Sequence, residues 1–150
     1  MPVWFQKNVS LDTIRQQSVK TIVDFLEIEW LEIGENFVKA AMPVNEKTRQ
    51  PYGVLHGGAS CVLAESLGSF AASLVIDSSK FQCVGISINA NHVRSVTDGK
   101  VTGVASPLHL GKSTHVWDIK IYKEDEKLVC VSRLTVAIIE KRDFTKPKSL

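Results

Sequence analysis

The chain has 150 residues and a mass of 16.6 kDa, which is room for one domain and little more. It is 44% hydrophobic and 23% charged, a globular balance that excludes disordered and collagen-like chains. Eighteen Lys and Arg against sixteen Asp and Glu leave a formal charge of +2, too little for bulk electrostatics to hold nucleic acid or an anionic membrane.

No P-loop, G-x-G-x-x-G, H-E-x-x-H or paired C-x-x-C occurs in the sequence, which sets aside several nucleotide and zinc chemistries. Cys61, Cys83 and Cys130 are an odd count at wide spacings and predict reduced thiols rather than a disulfide framework. Residues 1 to 7 carry neither a signal-peptide core nor a lipidation motif. There is no charge-free apolar run of the ~20 residues a membrane span needs. The expectation is a soluble cytoplasmic protein with no nucleic-acid or membrane partner.

Ser10 is a candidate N-cap, and Leu11, Ile14, Val19, Ile22 and Val23 follow at helical spacing, which predicts an amphipathic helix from 11 to about 23. From Leu26 the period becomes two: Leu26, Ile28 and Trp30 alternate with Glu27 and Glu29 as in a half-buried strand. A turn at Gly34 to Asn36 leads to a second strand from Phe37 to Met42, ending before Pro43. Residues 45 to 56, with Pro51 and Gly53, are a loop.

Gly57 to Ile76 is small and apolar almost all round, with one charge, Glu65. It is too long for a strand, and a helix apolar on every side must be buried in something. Strands follow. Val84, Ile86, Ile88 and Ala90 alternate with Gly85, Ser87 and Asn89. Thr97 to Lys100 makes a hairpin turn, and a strand from Val101 is disturbed by Pro107. Val116 to Tyr122 and Leu128 to Ile139 complete the set, and the tail from about 141 to 150 is expected to fray. The order predicts an α+β fold, one antiparallel sheet of strands in hairpin succession curled round the apolar helix. Its free edges favour self-association.

Chemistry can sit in few places. Glu65 lies mid-helix with Cys61 and Ser69 one turn to either side. A carboxylate there must be paired, protonated or facing a wet cleft. It is either a buried structural group tied to a strand by hydrogen bonds or a general base or nucleophile of raised pKa. His56-Gly57-Gly58 opens the helix, where free backbone N–H groups and the dipole's positive end can hold a polarised carbonyl. The glycines alone also fit a tight turn against a strand. Gly57 and Glu65 are eight residues apart, ~12 Å along a helix. If both act on one carbonyl, the second must come from another copy of the chain, which predicts a site shared across a homodimer.

Two turns mix cationic, amide and hydroxyl donors: Asn91 to Ser95, and His109 to Thr114. Both suit phosphate and pantetheine-like ligands and are equally readable as solvated strand ends. His56, His92, His109 and His115 lack metal-ligand spacing, so no metal is expected.

The run Gln50-Pro51-Tyr52-Gly53-Val54-Leu55-His56-Gly57-Gly58-Ala59-Ser60, followed by Ala64-Glu65-Ser66 and Gly68-Ser69, resembles the hotdog-fold acyl-CoA thioesterases of the phenylacetate-degradation/4-hydroxybenzoyl-CoA thioesterase type. Within that family the nearest likeness is to the 1,4-dihydroxy-2-naphthoyl-CoA thioesterases of menaquinone synthesis and the enterobactin proofreading thioesterases. The likeness runs through Ile88 to Ser95 and Pro107 to Gly111. It implies a curved antiparallel sheet wrapped round a long central helix. It implies Glu65 as the catalytic carboxylate, Gly57 as the amide that polarises the thioester carbonyl, Gln50 and His56 as positioning groups, and Ser69 near the attacking water. It further implies that Gly85, His92, Val93, Arg94, Ser95, His109, Leu110, Gly111, Lys112, Ser113 and Thr114 line the coenzyme A path. CoA would then be part of the substrate, with no separate cofactor. Homodimers with shared sites, commonly assembled as tetramers, belong to the same implication. Ser106 and residues 112 to 115 depart from the nearest relatives in the nucleotide-contacting region.

The expected activity is hydrolysis of an acyl-CoA, such as 1,4-dihydroxy-2-naphthoyl-CoA or a benzoyl-CoA, to the free acid and CoA. Two other readings stand beside it. A hotdog hydratase or dehydratase would pair a carboxylate with a histidine such as His56, although no D-x-x-x-x-H dyad is present. A non-catalytic acyl-CoA-binding module would have no need of Glu65. The acyl wall is expected opposite Glu65, built by a partner subunit and by side chains such as Phe70, Leu74 and Phe81.

Overall fold

The computed structural model describes residues 1–141, so all of the expected tail but Lys141 lies outside the described residues. Ser10 caps α1 (Leu11–Ser18), its Oγ accepting the Thr13 N–H at 3.2 Å. The helix then breaks, because Lys20 adopts φ +60°, and α2 (Ile22–Phe25) restarts it for one turn. Glu27 is also left-handed, at φ +57°, and β1 (Glu29–Ile33) begins only after it. The helix expected over 11–23 is therefore two pieces, and the strand expected from Leu26 starts three residues later. Neither Lys nor Glu favours positive φ, so neither break leaves a mark in the sequence. The alternation still located the buried side, since Leu26, Ile28 and Trp30 all lie in the core.

β2 (Val38–Pro43) pairs with β1 and carries Pro43 as its last residue. The long helix α3 (Gly57–Val75) follows, then β3 (Phe81–His92), β4 (Lys100–Leu110), β5 (Thr114–Lys123) and β6 (Leu128–Glu140). All pairings are antiparallel, and the six-stranded sheet has the order β1-β2-β4-β5-β6-β3. The expected hairpin succession thus fails at β3. The strand does not pair with β4 but crosses to the far edge beside β6, where it forms an eleven-pair register from Phe81↔Glu140 to His92↔Cys130.

The phase of β3 differs as well. The register jumps between Gly85 and Ser87, leaving Ile86 as the extra residue of a β-bulge. Such an insertion switches the face that later residues occupy. Cys83 packs on the core before it and Ile88 and Ala90 after it, while Val84 and Ile86 are exposed. Placing residues 84, 86, 88 and 90 on one face is therefore corrected by one bulged residue.

The sheet curls over α3, whose Leu63, Ala64, Leu67, Ala71 and Ala72 are fully buried against Trp117, Ile119, Ile121 and Leu134. The alanines among these contacts let the strands come close, and truncating a leucine such as Leu67 would cost about 2–5 kcal/mol. By length and composition α3 could cross a membrane, but here half of its apolar stretch is buried inside the fold, and Cys61 and Val62 on the other side line an open cleft. The N-terminal segment closes the helix's far end. Phe5 and Gln6 donate their N–H groups to Leu74 O at 2.9 and 3.1 Å, and Trp4 stacks on Trp117 at 6.3 Å. A carbonyl that the helix terminus leaves unpaired is thereby satisfied.

Candidate active site

The loop before α3 is held by its own polar groups. Buried Thr48 donates through Oγ1 to Pro43 O at 2.8 Å, and its carbonyl accepts the His56 N–H at 2.8 Å. Arg49 Nε donates to Thr97 O at 3.0 Å, and Leu55 N to Val96 O at 2.8 Å. Thr48 and Arg49 carried no signal in the sequence beyond their polarity, yet they anchor the segment that presents Gln50 and His56. His56 is the N-cap of α3, its Nδ1 accepting the Gly58 N–H at 2.8 Å. Nδ1 is thereby engaged at the helix start, while Nε2 is not part of the cap.

Gly57 is the first residue of α3, so its N–H is free of the helix's own ladder. It lies against His92, whose Nε2 would come within 2.7 Å of any added β-carbon. Only a glycine leaves that backbone open to a third group. A cleft of about 380 Å³ is lined there by Gln50, Gly57, Ser60, His92, Arg94 and Ser95, with Val93 and Val129 beside them. Gln50, Gly57 and the His92–Ser95 turn are thus brought together as expected, and Ser60 joins them without having been anticipated. Arg94 is exposed and donates through Nε to Leu128 O at 3.2 Å.

Glu65 opens into a different cleft, of about 320 Å³, lined by Ile22, Cys61, Val62, Glu65 and Ser66. Among the described residues its carboxylate makes no hydrogen bond and no ion pair, so it is not the tied structural group that the sequence left possible. Burial against apolar neighbours pushes its pKa above the usual carboxylate range. The same burial, followed by the Glu65 charge, pushes the Cys61 thiol up, while burial takes Cys83 to about 11. These are protonated thiols at neutral pH, and all three cysteines are free. Ser69 lies one turn beyond Glu65 on α3, and Ser66, not singled out in the sequence, is the hydroxyl that lines the cleft.

Gly85 sits beneath Glu65 on β3. The hairpin from His109 to Thr114 is remote from the first cleft. Thr114 pairs with Ala137 on β6, whereas His92 pairs with Cys130, seven residues or about 23 Å along the same strand. One chain therefore does not unite the two clusters expected to bind CoA. Within one chain Phe70, Leu74 and Phe81 do not line the Glu65 cleft: Leu74 is buried, Phe70 packs on Trp30 at 5.0 Å and Phe81 stands at the start of β3. Ile22 of α2, 55% exposed, and Val62 supply the apolar wall instead. No metal-holding cluster of His, Cys, Asp or Glu occurs among the described residues.

The thioesterase superfamily model matches residues 52–130, which span the end of the loop, α3 and most of the sheet. The chain belongs to the thioesterase superfamily. It is 47% identical over 135 residues to the 1,4-dihydroxy-2-naphthoyl-CoA hydrolase of Escherichia coli, covering 90% of this chain and 97% of that one. It is 44% identical to the proofreading thioesterase EntH of Cronobacter turicensis, covering 91% and 98%. The crystal structure of the thioesterase HI1161 from Haemophilus influenzae superposes with a TM-score of 0.90 at 44% identity, covering 96% of this chain and 99% of the other. The protein is a hotdog-fold thioesterase, and its chemistry is thioester hydrolysis.

Proposed function

We propose that this thioesterase hydrolyses an aromatic acyl-CoA, of the kind represented by 1,4-dihydroxy-2-naphthoyl-CoA or a benzoyl-CoA, to the free acid and CoA. The observation that carries the proposal is the division of labour along α3. A free helix N-terminal amide faces one cleft, and an unpaired carboxylate of raised pKa faces another. The name of the Escherichia coli relative supports the aromatic acyl group, as does the apolar wall of Ile22 and Val62. The place in menaquinone biosynthesis that the resemblance implies belongs to the same proposal.

In the proposed reaction the thioester oxygen accepts the Gly57 N–H, which stabilises charge that develops as the carbonyl carbon is attacked. Gln50 and His56 orient the thioester, and Ser69 orients water. As general base, Glu65 takes a proton from that water while the water oxygen bonds to the carbonyl carbon. Collapse then breaks the C–S bond, and the proton passes from Glu65 to the departing CoA sulfur. As nucleophile, Glu65 would bond to the carbonyl carbon itself and expel CoA thiolate, forming an anhydride that water opens, with the released proton going to the thiolate. Single turnover in ¹⁸O-water tests the nucleophile: heavy oxygen in Glu65 requires an anhydride opened at the Glu65 carbonyl. Heavy oxygen in the product acid alone fits the base or an anhydride opened at the acyl carbonyl. CoA is part of the substrate, and neither a cofactor nor a metal takes part.

The two clefts combine only if Gly57 of one protomer meets Glu65 of another. Edge strand β3 offers the means: twelve residues long, it has one backbone edge that no described strand pairs with, and Val84 and Ile86 are exposed on it. Antiparallel pairing of two β3 edges gives a homodimer with two shared sites, and two such dimers give the homotetramer. In the dimer the His92–Ser95 turn and the His109–Thr114 hairpin come from different protomers to line the CoA path. The protein works in the cytoplasm, where acyl-CoA is made.

Release of free thiol across aromatic, branched and straight-chain acyl-CoAs tests the reading. Aromatic substrates should lead, and Glu65→Gln should lower kcat by ~10³-fold or more without changing the oligomer. A flat, slow profile would favour a binding module, and a fully active Glu65→Gln enzyme would remove Glu65 from the mechanism.

A further inference from the structure

Hydrogen bonds fix the N-terminal end of α3, but the Glu65 carboxylate has none among the described residues and must be aimed some other way. Beneath it lies Gly85, on the helix-facing side of β3, where a β-carbon would overlap Glu65 Oε1. The floor of that slot is the fully buried Leu134, whose Cδ1 would lie 4.0 Å from the same β-carbon. The β-bulge begins at this residue, with Gly85 opposite Val136 and Ser87 opposite Thr135 while Ile86 is left over. Bulges turn the strand locally and change which side chains meet a neighbouring element. Here the bulge allows Gly85 and then Ile88 to face α3 in succession, so that no side chain fills the space between them.

We propose that Gly85 is a positioning residue, whose missing side chain forms the slot that holds the Glu65 carboxylate at its working position. This rests on Glu65 being the catalytic carboxylate. The slot fixes one oxygen by shape, against apolar atoms and without a hydrogen bond, which leaves the other oxygen free for water or thioester. A hydrogen bond would hold the group as well but would stabilise the anion and weaken it as a base.

The geometry separates this role from a structural one. A β-carbon at Gly103 would meet Leu67 Cδ1 at 2.5 Å, inside the core, where room can be made only by shifting packed side chains. At Gly85 the obstructing atom is the mobile end of a side chain that opens into a cleft. Gly85→Ala should leave the fold in place and push the carboxylate outward. Gly103→Ala should lower the melting temperature.

The test compares Gly85→Ala with wild type, then repeats the substitution in a Glu65→Asp background, where the shorter side chain no longer reaches the added methyl. Gly85→Ala should lower kcat by ~10²-fold, as a displacement of about 1 Å does, with KM changed less than ~3-fold and the melting temperature unaltered. In the Glu65→Asp enzyme the same substitution should cost less than ~3-fold. The midpoint of Glu65 titration, followed by carboxyl ¹³C NMR, should fall towards the ordinary carboxylate value as the group moves into solvent. A kcat within ~3-fold of wild type, an equal loss in the Glu65→Asp background, or an unmoved NMR midpoint would each overturn the proposal. The NMR titration needs no turnover. If Glu65→Gln proved active, the catalytic reading would fail, and the titration would still decide whether Gly85 places the carboxylate.

Discussion

The two halves of the site are built on opposite principles. At the start of α3 a buried threonine, a capping histidine and a set of backbone bonds hold Gly57 in place. Eight residues on, Glu65 is held by apolar surroundings and by an empty position on β3. An amide that must stabilise a developing negative charge gains from rigidity, because its dipole is then aimed before the charge appears. A carboxylate that must accept a proton gains from being left unsatisfied, because each donor it lacks keeps its proton affinity high. The contrast fits the roles proposed for Glu65 as general base and Gly57 as electrostatic stabiliser.

Crowding the rigid half should give a large loss of turnover, though a smaller one than Glu65→Gln. Gly57→Ala puts a methyl where His92 Nε2 stands, so either His92 or the first turn must move. A displacement of ~1 Å costs about 10²-fold in kcat, and the effect should fall on every acyl-CoA alike, because it acts on the carbonyl common to them. If one acyl class were lost and another kept, Gly57 would belong to acyl recognition instead.

A smaller effect should come from loosening the anchor. Thr48→Val keeps the volume but removes the donor to Pro43 O and the acceptor for Asn45 N. Leaving buried backbone groups unpaired costs about 1–3 kcal/mol, visible as a lower urea midpoint with an unchanged slope. Activity per folded molecule should fall with it, since Gln50 and His56 ride on that loop. Stability lost with kcat intact would mean that the loop's rigidity serves the fold alone.

The same contrast explains what could be read in the amino acids. The long helix was legible because an all-round apolar segment has only one physical outcome, and Glu65 stood out because a charge there needs a reason. His56-Gly57-Gly58 was legible as a helix start. The slot beneath Glu65 was not, because it depends on a strand that crosses the whole sheet to reach β6 and on a bulge that reverses its phase. Gly85 alone hinted at it, and one glycine in a strand has several uses. Nor could spacing foresee that Ile22 would reach the Glu65 cleft, since two left-handed residues, Lys20 and Glu27, bring α2 there. Local pattern carried the elements, and the long-range crossing carried the site.

The smallest predicted effect bears on the half that is left unsatisfied, and its sign follows from linkage. Burial raises the folded pKa of Glu65 above its unfolded value. Between those two values the folded chain retains a proton that the unfolded chain has lost, so stability declines as pH rises through that interval. Above it the ionised carboxylate is a standing cost to the fold. Glu65→Gln removes the cost, so its melting temperature should match or exceed that of wild type at pH 7 to 8, with the two converging below about pH 4. The gain should be on the order of 1 °C, because the cleft admits solvent that screens the charge. A carboxylate held by hydrogen bonds or ion pairs would behave in reverse, with the Glu65→Gln enzyme less stable at neutral pH and the gap closing in acid. Measured beside kcat, a variant that loses turnover without losing stability marks a residue kept for its chemistry at some expense to the fold.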